Sequence, residues 1–235
     1  MPSDRYAKLY ELSSRALLWP LRVPVVRNAL TRFARVWLRQ ARLVTHLAGG
    51  SYDFIVDGGA SIGEFAALAR LGCPGTPLLC VEPHPPSAAV LRRRGFDVVE
   101  AALWHERGTI RLTQLSTAVT SCTVAAEGHP DKPAWNVQTL RLDELPIRGH
   151  NVLIKLDLQG AELQALAGIG ESWNRCAGFL LEVSYGPGGT YEPVRALLAE
   201  KGFYEAATFN ELELDAGPVE ADKLWLRRRP LAKSS

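Results

Sequence analysis

The chain reads Val56-Asp57-Gly58-Gly59-Ala60-Ser61-Ile62-Gly63, set between an apolar segment from Phe54 to Val56 and the run Glu64-Phe65-Ala66-Ala67-Leu68-Ala69. The apolar segment has the character of a buried strand that ends in an acid, turns through glycines and opens a helix with one apolar face. A strand, a glycine turn and a helix in this order let backbone approach a ligand closely, with bare N–H groups at the helix start. A second strand, Leu78 to Val81, ends in Glu82, 25 residues beyond Asp57. That is near the spacing at which a second-strand carboxylate holds ribose hydroxyls in a doubly wound nucleotide fold.

The charge in the turn narrows the ligand. A dinucleotide fingerprint, Gly-x-Gly-x-x-Gly, receives a pyrophosphate at the helix end. Here Asp57 sits at the mouth of the turn, where it would repel phosphate. It suits a ligand that carries an ammonium and a sulfonium, namely S-adenosylmethionine (SAM). A third segment, Ile154-Lys155-Leu156-Asp157-Leu158-Gln159-Gly160-Ala161-Glu162, brings more carboxylates at the end of another apolar strand.

Taken as a set, the three segments resemble the FkbM-type SAM-dependent O-methyltransferases. Their motifs run as a Val-Asp-x-Gly-Ala-x-x-Gly turn, a Glu-Pro strand end and Ile-Lys-x-Asp-x-(Glu/Gln)-Gly-x-Glu. Ala101-Ala102-Leu103, Thr139-Leu140-Arg141-Leu142-Asp143-Glu144-Leu145 and Leu181-Glu182-Val183 are similar to further features of that family. The resemblance covers about Tyr52 to Arg228 and leaves the first 50 residues outside. It implies a Rossmann-like class I α/β fold, with a seven-stranded, mainly parallel sheet whose last strand is antiparallel. It also implies SAM as cofactor and methyl transfer to a hydroxyl oxygen of a sugar, glycan or natural-product acceptor. The cofactor contacts expected on this basis are Asp57, Gly58, Gly59, Ala60, Ser61, Gly63, Glu82, Pro83, Ala102 and Asp157. The chain departs from the family at Gln159, where Glu is common, and after the third strand, where no acid stands near the adenine end.

A length of 235 residues, 47% hydrophobic and 22% charged, fits one α/β domain with an appendage. The formal charge of +2 is unevenly spread. Residues 1–50 hold nine Arg and Lys against Asp4 and Glu11, which leaves the remainder at about −5. A mildly acidic body gives no support for a nucleic-acid groove. Cys73, Cys80, Cys122 and Cys176 show no Cys-x-x-Cys or His spacing, which points to free thiols in a reducing cytoplasm. No signal peptide is evident and no apolar run is long enough to span a bilayer.

Three parts follow: residues 1–50 as a helical appendage, 51–229 as the methyltransferase domain and 230–235 as a loose tail. In the appendage a short helix runs from Asp4 to about Leu18, then Pro20 and Pro24 intervene. A longer helix from Val25 to Leu47 places Val26, Leu30, Phe33, Trp37, Ala41 and Val44 on one face and arginines opposite. Four roles are open to it: a docked helix with a solvated arginine face, a lid, a homodimer contact, or a peripheral membrane contact through residues 25–47. Gly49-Gly50 then leads into alternating strands and helices, the signature of a mainly parallel sheet. Strands are expected near Phe54–Asp57, Leu78–Glu82, Val98–Ala101, Val152–Asp157, Gly178–Ser184, Tyr204–Phe209 and Lys223–Arg228. Helices are expected near Ile62–Leu71, Pro86–Arg94, Ala161–Gly168 and Tyr191–Lys201. Thr109–Leu115 and Val137–Leu142 read as strands flanking a polar loop, Ser116 to Trp135, inserted over the site.

In such a sheet ligands bind beyond the strand ends where the strand order reverses, so Asp57 and Asp157 should face one crevice. Lys155 and Asp157 lie two apart on a strand and share a face. A lysine in an apolar strand needs a partner, for which Asp157 or Glu162 is placed. Methyl transfer to a weakly acidic hydroxyl asks for alignment and a base. Asp157 is the first candidate for that base or for orienting the hydroxyl, Glu182 the second, and Lys155 completes the catalytic set. Asp157 has a competing structural role, as a cap for the following helix or as partner of Lys155. The carboxylates and the five histidines offer no convincing metal-ligand spacing, so no metal is expected. Two rival classes remain, a nucleic-acid methyltransferase gripping phosphate with the arginine helix and a non-catalytic SAM-binding assembly module.

Overall fold

A computed structural model of the chain describes residues 41–114, 122–124, 132–214 and 217–228. The expected helix over Asp4 to Leu18, most of the longer one, most of the insertion loop and the tail 230–235 lie outside the described residues. Residues 41–49 are helical. By internal contacts the chain divides at Leu43/Val44, and the described residues from Val44 onward belong to one compact unit.

Its frame is a seven-stranded sheet. Chain order gives β1 (Phe54–Gly58), helix α1 (Glu64–Gly72), β2 (Leu78–Val81), α2 (Pro85–Arg93) and β3 (Asp97–Val99). After a second small sheet come β8 (Val152–Leu156), α3 (Glu162–Ala167), β9 (Cys176–Ser184), α4 (Tyr191–Glu200), β10 (Phe203–Leu214) and β11 (Gly217–Arg227). The spatial order is β3-β2-β1-β8-β9-β11-β10, parallel except for β11, which runs against both its neighbours. The order reverses between β1 and β8, so the crevice opens at the carboxyl ends of those two strands.

Period-two alternation sorts the two faces of the sheet. Phe54, Val56, Val152, Ile154, Leu156, Phe179, Leu181 and Val183 share one buried cluster with Leu166 of α3 and Val194 and Leu198 of α4. The opposite set contains Ile55 and Asp57 on β1, Leu153 and Lys155 on β8, and Leu180 and Glu182 on β9. An apolar lower half and a polar upper half on this second face aim the charged side chains at the crevice.

A four-stranded sheet fills the expected insertion, with order β4 (Ala102–Leu103), β7 (Ala134–Leu140), β5 (Gly108–Gln114) and β6 (Cys122–Val124). Two expectations change here. The third strand, placed at Val98–Ala101, ends at Val99, and Ala102–Leu103 joins the second sheet instead. The hydrogen bonds explain the break: Glu82 N–H donates to the Val99 carbonyl, whereas Trp104 N–H donates to that of Leu140. The interval Ser116 to Trp135, read as loop, contains β6 and the first two residues of β7. Cys-Thr-Val there is short but β-prone, and pairs with the far end of β5. Ala102, Leu112 and Val137 form the small sheet's own core, with Trp135 packed on it.

The terminal hairpin is longer than its two expected strands, because β10 and β11 continue past the sheet to Leu214 and Gly217. Register shifts between Glu205 and Ala207, between Phe209 and Leu212 and between Leu212 and Glu213 mark irregularities along its pairing, the kind that add local twist.

Candidate active site

The turn after β1 is built so tightly that its residue types are constrained. Gly59 has φ +69°, and a Cβ there would overlap the Asp157 carbonyl oxygen. Gly63, with φ +88°, hands the chain to α1, whose Phe65, Ala66 and Ala69 are buried. Ser61 holds φ +49°, a left-handed value uncommon outside glycine. Its strain is compensated by Glu82, whose Oε2 accepts the Ser61 N–H at 2.7 Å while Oε1 accepts the His84 N–H at 2.9 Å. Glu82 thereby ties the turn to the end of β2.

Burial drives the Glu82 carboxyl up to about 7, against the pull of those two N–H donors. His84 is buried, its Nδ1 2.8 Å from Ser87 Oγ, and its ring meets Trp135 edge-on at 4.5 Å. That contact joins the small sheet to the loop after β2. Pro83 lies between these two groups at the rim.

Asp57, expected at the mouth of the turn, is fully buried, at 0% exposure. The turn folds over it. Lys155 Nζ stands 3.2 Å from Asp57 Oδ1 and 3.5 Å from Asp157 Oδ2, and donates to the Gly59 carbonyl at 3.0 Å. Burial pushes the Asp57 carboxyl up and Lys155 opposes that push. Burial disfavours the charged lysine as well, but Asp57 and Asp157 outweigh it and raise Lys155, so the proton stays on the amine. Lys155 thus donates to the Gly58 and Gly59 carbonyls and forms ion pairs with Asp57 and Asp157, which ties it to the floor of the site.

Glu162, the other expected partner of Lys155, points elsewhere. Its Oε1 accepts N–H groups of Leu158 at 2.8 Å and Gly160 at 3.3 Å, which shapes the loop between β8 and α3. Asp157 therefore does not cap that helix, and no side-chain cap is present at Ala161. The side chain of Asp157 is 35% exposed at the end of β8. Burial would raise it, but Lys155 and hydrogen bonds from Glu182 and Gln159 hold it below the usual carboxylate range. Glu182 goes the other way. Burial, then the charge of Asp157, pushes it up to about 9.

Two further residues complete the arrangement. Asp222 of β11 pairs in register with Glu182 of β9, and Asn210 of β10 donates an amide hydrogen to Asp222. Sequence reading missed both, since the last strand was expected to begin one residue beyond Asp222. Thus Asp57, Lys155, Asp157, Glu182 and Asp222 come together on one face. Glu82, Ser61 and Gly59 form the adjoining rim. Gly58 is fully inside β1, Ala60 is buried beneath the turn, and the side chain of Ala102 packs in the small core. Any contact these last three make with a cofactor falls to backbone.

A sequence profile described as the methyltransferase FkbM domain matches residues 57–204, beginning at the buried acid of the turn. The chain belongs to the FkbM methyltransferase family. It is similar to "Methyltransferase sdnD" of Sordaria araneosa, 27% identical over 193 residues, which cover 65% of this chain and 74% of that protein. It is also similar to "Methyltransferase 1" of Beauveria bassiana, 26% identical over 64% of this chain and 72% of that protein. The fold matches the crystal structure of an FkbM methyltransferase from Methylobacillus flagellatus with TM-score 0.51 and 16% identity, over 74% of this chain. The chain spans 43% of that solved chain, less than half its length.

SAM is the cofactor of this methyltransferase family, and the rim fits it. Glu82 uses each carboxylate oxygen for one backbone N–H and keeps lone pairs for ribose hydroxyls. Ser61 Oγ is buried with no hydrogen-bond partner among the described residues. Asp157, held ionised and part-exposed beside Lys155, puts a carboxylate at the crevice of this FkbM domain, which suits a cationic sulfonium.

Proposed function

We propose that this chain transfers a methyl group from SAM to a hydroxyl oxygen of a sugar, glycan or natural-product acceptor. The observation that carries this reading is the ionised, part-exposed carboxylate of Asp157 at the crevice, beside a glycine turn and an acid suited to the cofactor.

Glu82, Ser61 and the backbone of Gly58 to Gly63 hold the cofactor, whose contribution when bound is an electrophilic methyl on a sulfonium. Asp157 orients the acceptor hydroxyl and takes up its proton as the new oxygen–carbon bond forms. Such a base contributes about 10²–10⁴-fold. Lys155, 3.5 Å away, fixes the carboxylate from below. Glu182 holds a proton of its own, so it does not compete as base at neutral pH.

The test is transfer of labelled methyl from SAM to a panel of sugars, oligosaccharides and hydroxylated natural products, with the product linkage read by mass spectrometry. The expected product is an alkali-stable methyl ether. An N-methyl product or an alkali-labile methyl ester would overturn the hydroxyl assignment while leaving the family intact.

A further inference from the structure

The side chain of Gln159 touches both carboxylates of the site. Its Nε2 donates to Asp157 Oδ1 at 3.1 Å and to Glu182 Oε2 at 2.8 Å. One amide nitrogen has two hydrogens, and here each is directed at a different acid. The backbone is committed to this geometry. Gln159 has φ +54°, a left-handed conformation unusual for a γ-branch-free polar residue, followed by Gly160 at φ +98°. Glu162 locks that turn through Leu158 N–H and Gly160 N–H on either side of Gln159. A strained backbone, held from two sides to aim one side chain, is a feature of functional sites.

We infer that Gln159 is a positioning residue of the methyl-transfer site, whose amide clamps Asp157 and Glu182 into one proton-sharing pair with Asp157 as the ionised member. This rests on the functional reading above and extends it to a residue outside the acid set. Geometry explains the asymmetry. Asp157 has Lys155 beside it at 3.5 Å, whereas Glu182 faces Asp222 across the β9–β11 pairing, with Glu220 further along β11. Asp57 of β1 is taken up by Lys155. Of the two clamped acids, the one next to the ammonium ionises and the one next to another carboxyl keeps the proton. The raised Glu182 and lowered Asp157 agree with that division.

In this arrangement the amide gives the base a fixed direction. Without it, Asp157 would rotate toward Lys155, and Glu182 would be free to turn to solvent. The clamp takes up Asp157 Oδ1 and leaves Oδ2, which has only the ion pair to Lys155 at 3.5 Å, to meet the acceptor.

The experiment is isotope-edited infrared spectroscopy through a pH titration, on protein with ¹³C-labelled glutamate carboxyls. Wild type, Glu182→Gln, Gln159→Ala and the isosteric Gln159→Glu are compared, with SAM affinity measured by calorimetry in parallel. In wild type, a protonated glutamic acid band should persist above neutral pH and be absent in Glu182→Gln. In Gln159→Ala its midpoint should rise by about one pH unit, since both carboxylates lose a donor. Gln159→Glu, which removes the donor and adds a third acid, should raise it further. An unchanged midpoint in both Gln159 variants, or a wild-type spectrum without the Glu182-dependent band, overturns the inference. Wild type that fails to bind SAM would instead defeat the functional reading, and the titration would still decide the clamp.

Discussion

Lys155 Nζ lies 3.2 Å from Asp57 Oδ1, joining β8 to β1 directly beneath the glycine turn. Both groups are buried, so the pair is not a surface ion pair of small consequence. Desolvation makes each charge depend on the other. Lys155→Met should therefore cost about 3–5 kcal/mol in urea unfolding, because it strands Asp57. The double variant Asp57→Leu/Lys155→Met should recover much of that loss. A single variant as stable as wild type would show that Asp57 takes up a proton at no cost.

Gly59→Ala tests the turn itself. The added methyl meets the Asp157 carbonyl, which is backbone and cannot step aside, at a φ that alanine rarely adopts. We expect SAM affinity to fall by at least about tenfold, or roughly 1.4 kcal/mol, together with a lowered melting temperature. Gly95→Ala also changes a left-handed glycine but meets open space, and serves as the control for backbone strain alone. Equal effects of the two on SAM binding would count against a tight cradle.

If Glu82 holds the ribose as proposed, cofactor binding should depend on pH. Hydroxyl donors favour its ionised form, and burial places its protonation at about 7. Affinity for SAM should be full above that value and should decline as pH falls through it, approaching about tenfold per unit at lower pH. Glu82→Gln should bind more weakly at pH 8 and lose the dependence. Calorimetry between pH 5.5 and 8.5 distinguishes this from a flat profile, which would detach Glu82 from the ribose.

Most of the frame was legible because it is written in local signals. The apolar strands ending in Asp57, Glu82 and Asp157 are short continuous runs, and Gly59 and Gly63 stand where the backbone has to turn left-handed. The seven strands and the four helices of the sheet fall where the pattern puts them, within a few residues at most boundaries. What the sequence hid depends on partners far along the chain. Burial of Asp57 needs Lys155, almost a hundred residues away. The break between Val99 and Ala102 is decided by Leu140, and the neighbourhood of Glu182 by a hairpin register that puts Asp222 opposite it. Gln159 was legible as a departure from the family pattern, but its two hydrogen bonds come from a backbone angle that no propensity scale assigns to glutamine.

The most direct test of the account is methyl transfer by Asp157→Asn, using an acceptor identified with the wild-type protein and SAM affinity measured on the same preparation. Asparagine keeps the shape and removes the charge that receives the acceptor proton. The account predicts a folded protein with SAM affinity within a few-fold of wild type and turnover lower by at least about a hundredfold, or roughly 3 kcal/mol of barrier. Near-normal turnover in that variant would contradict it, returning Asp157 to a purely structural partnership with Lys155.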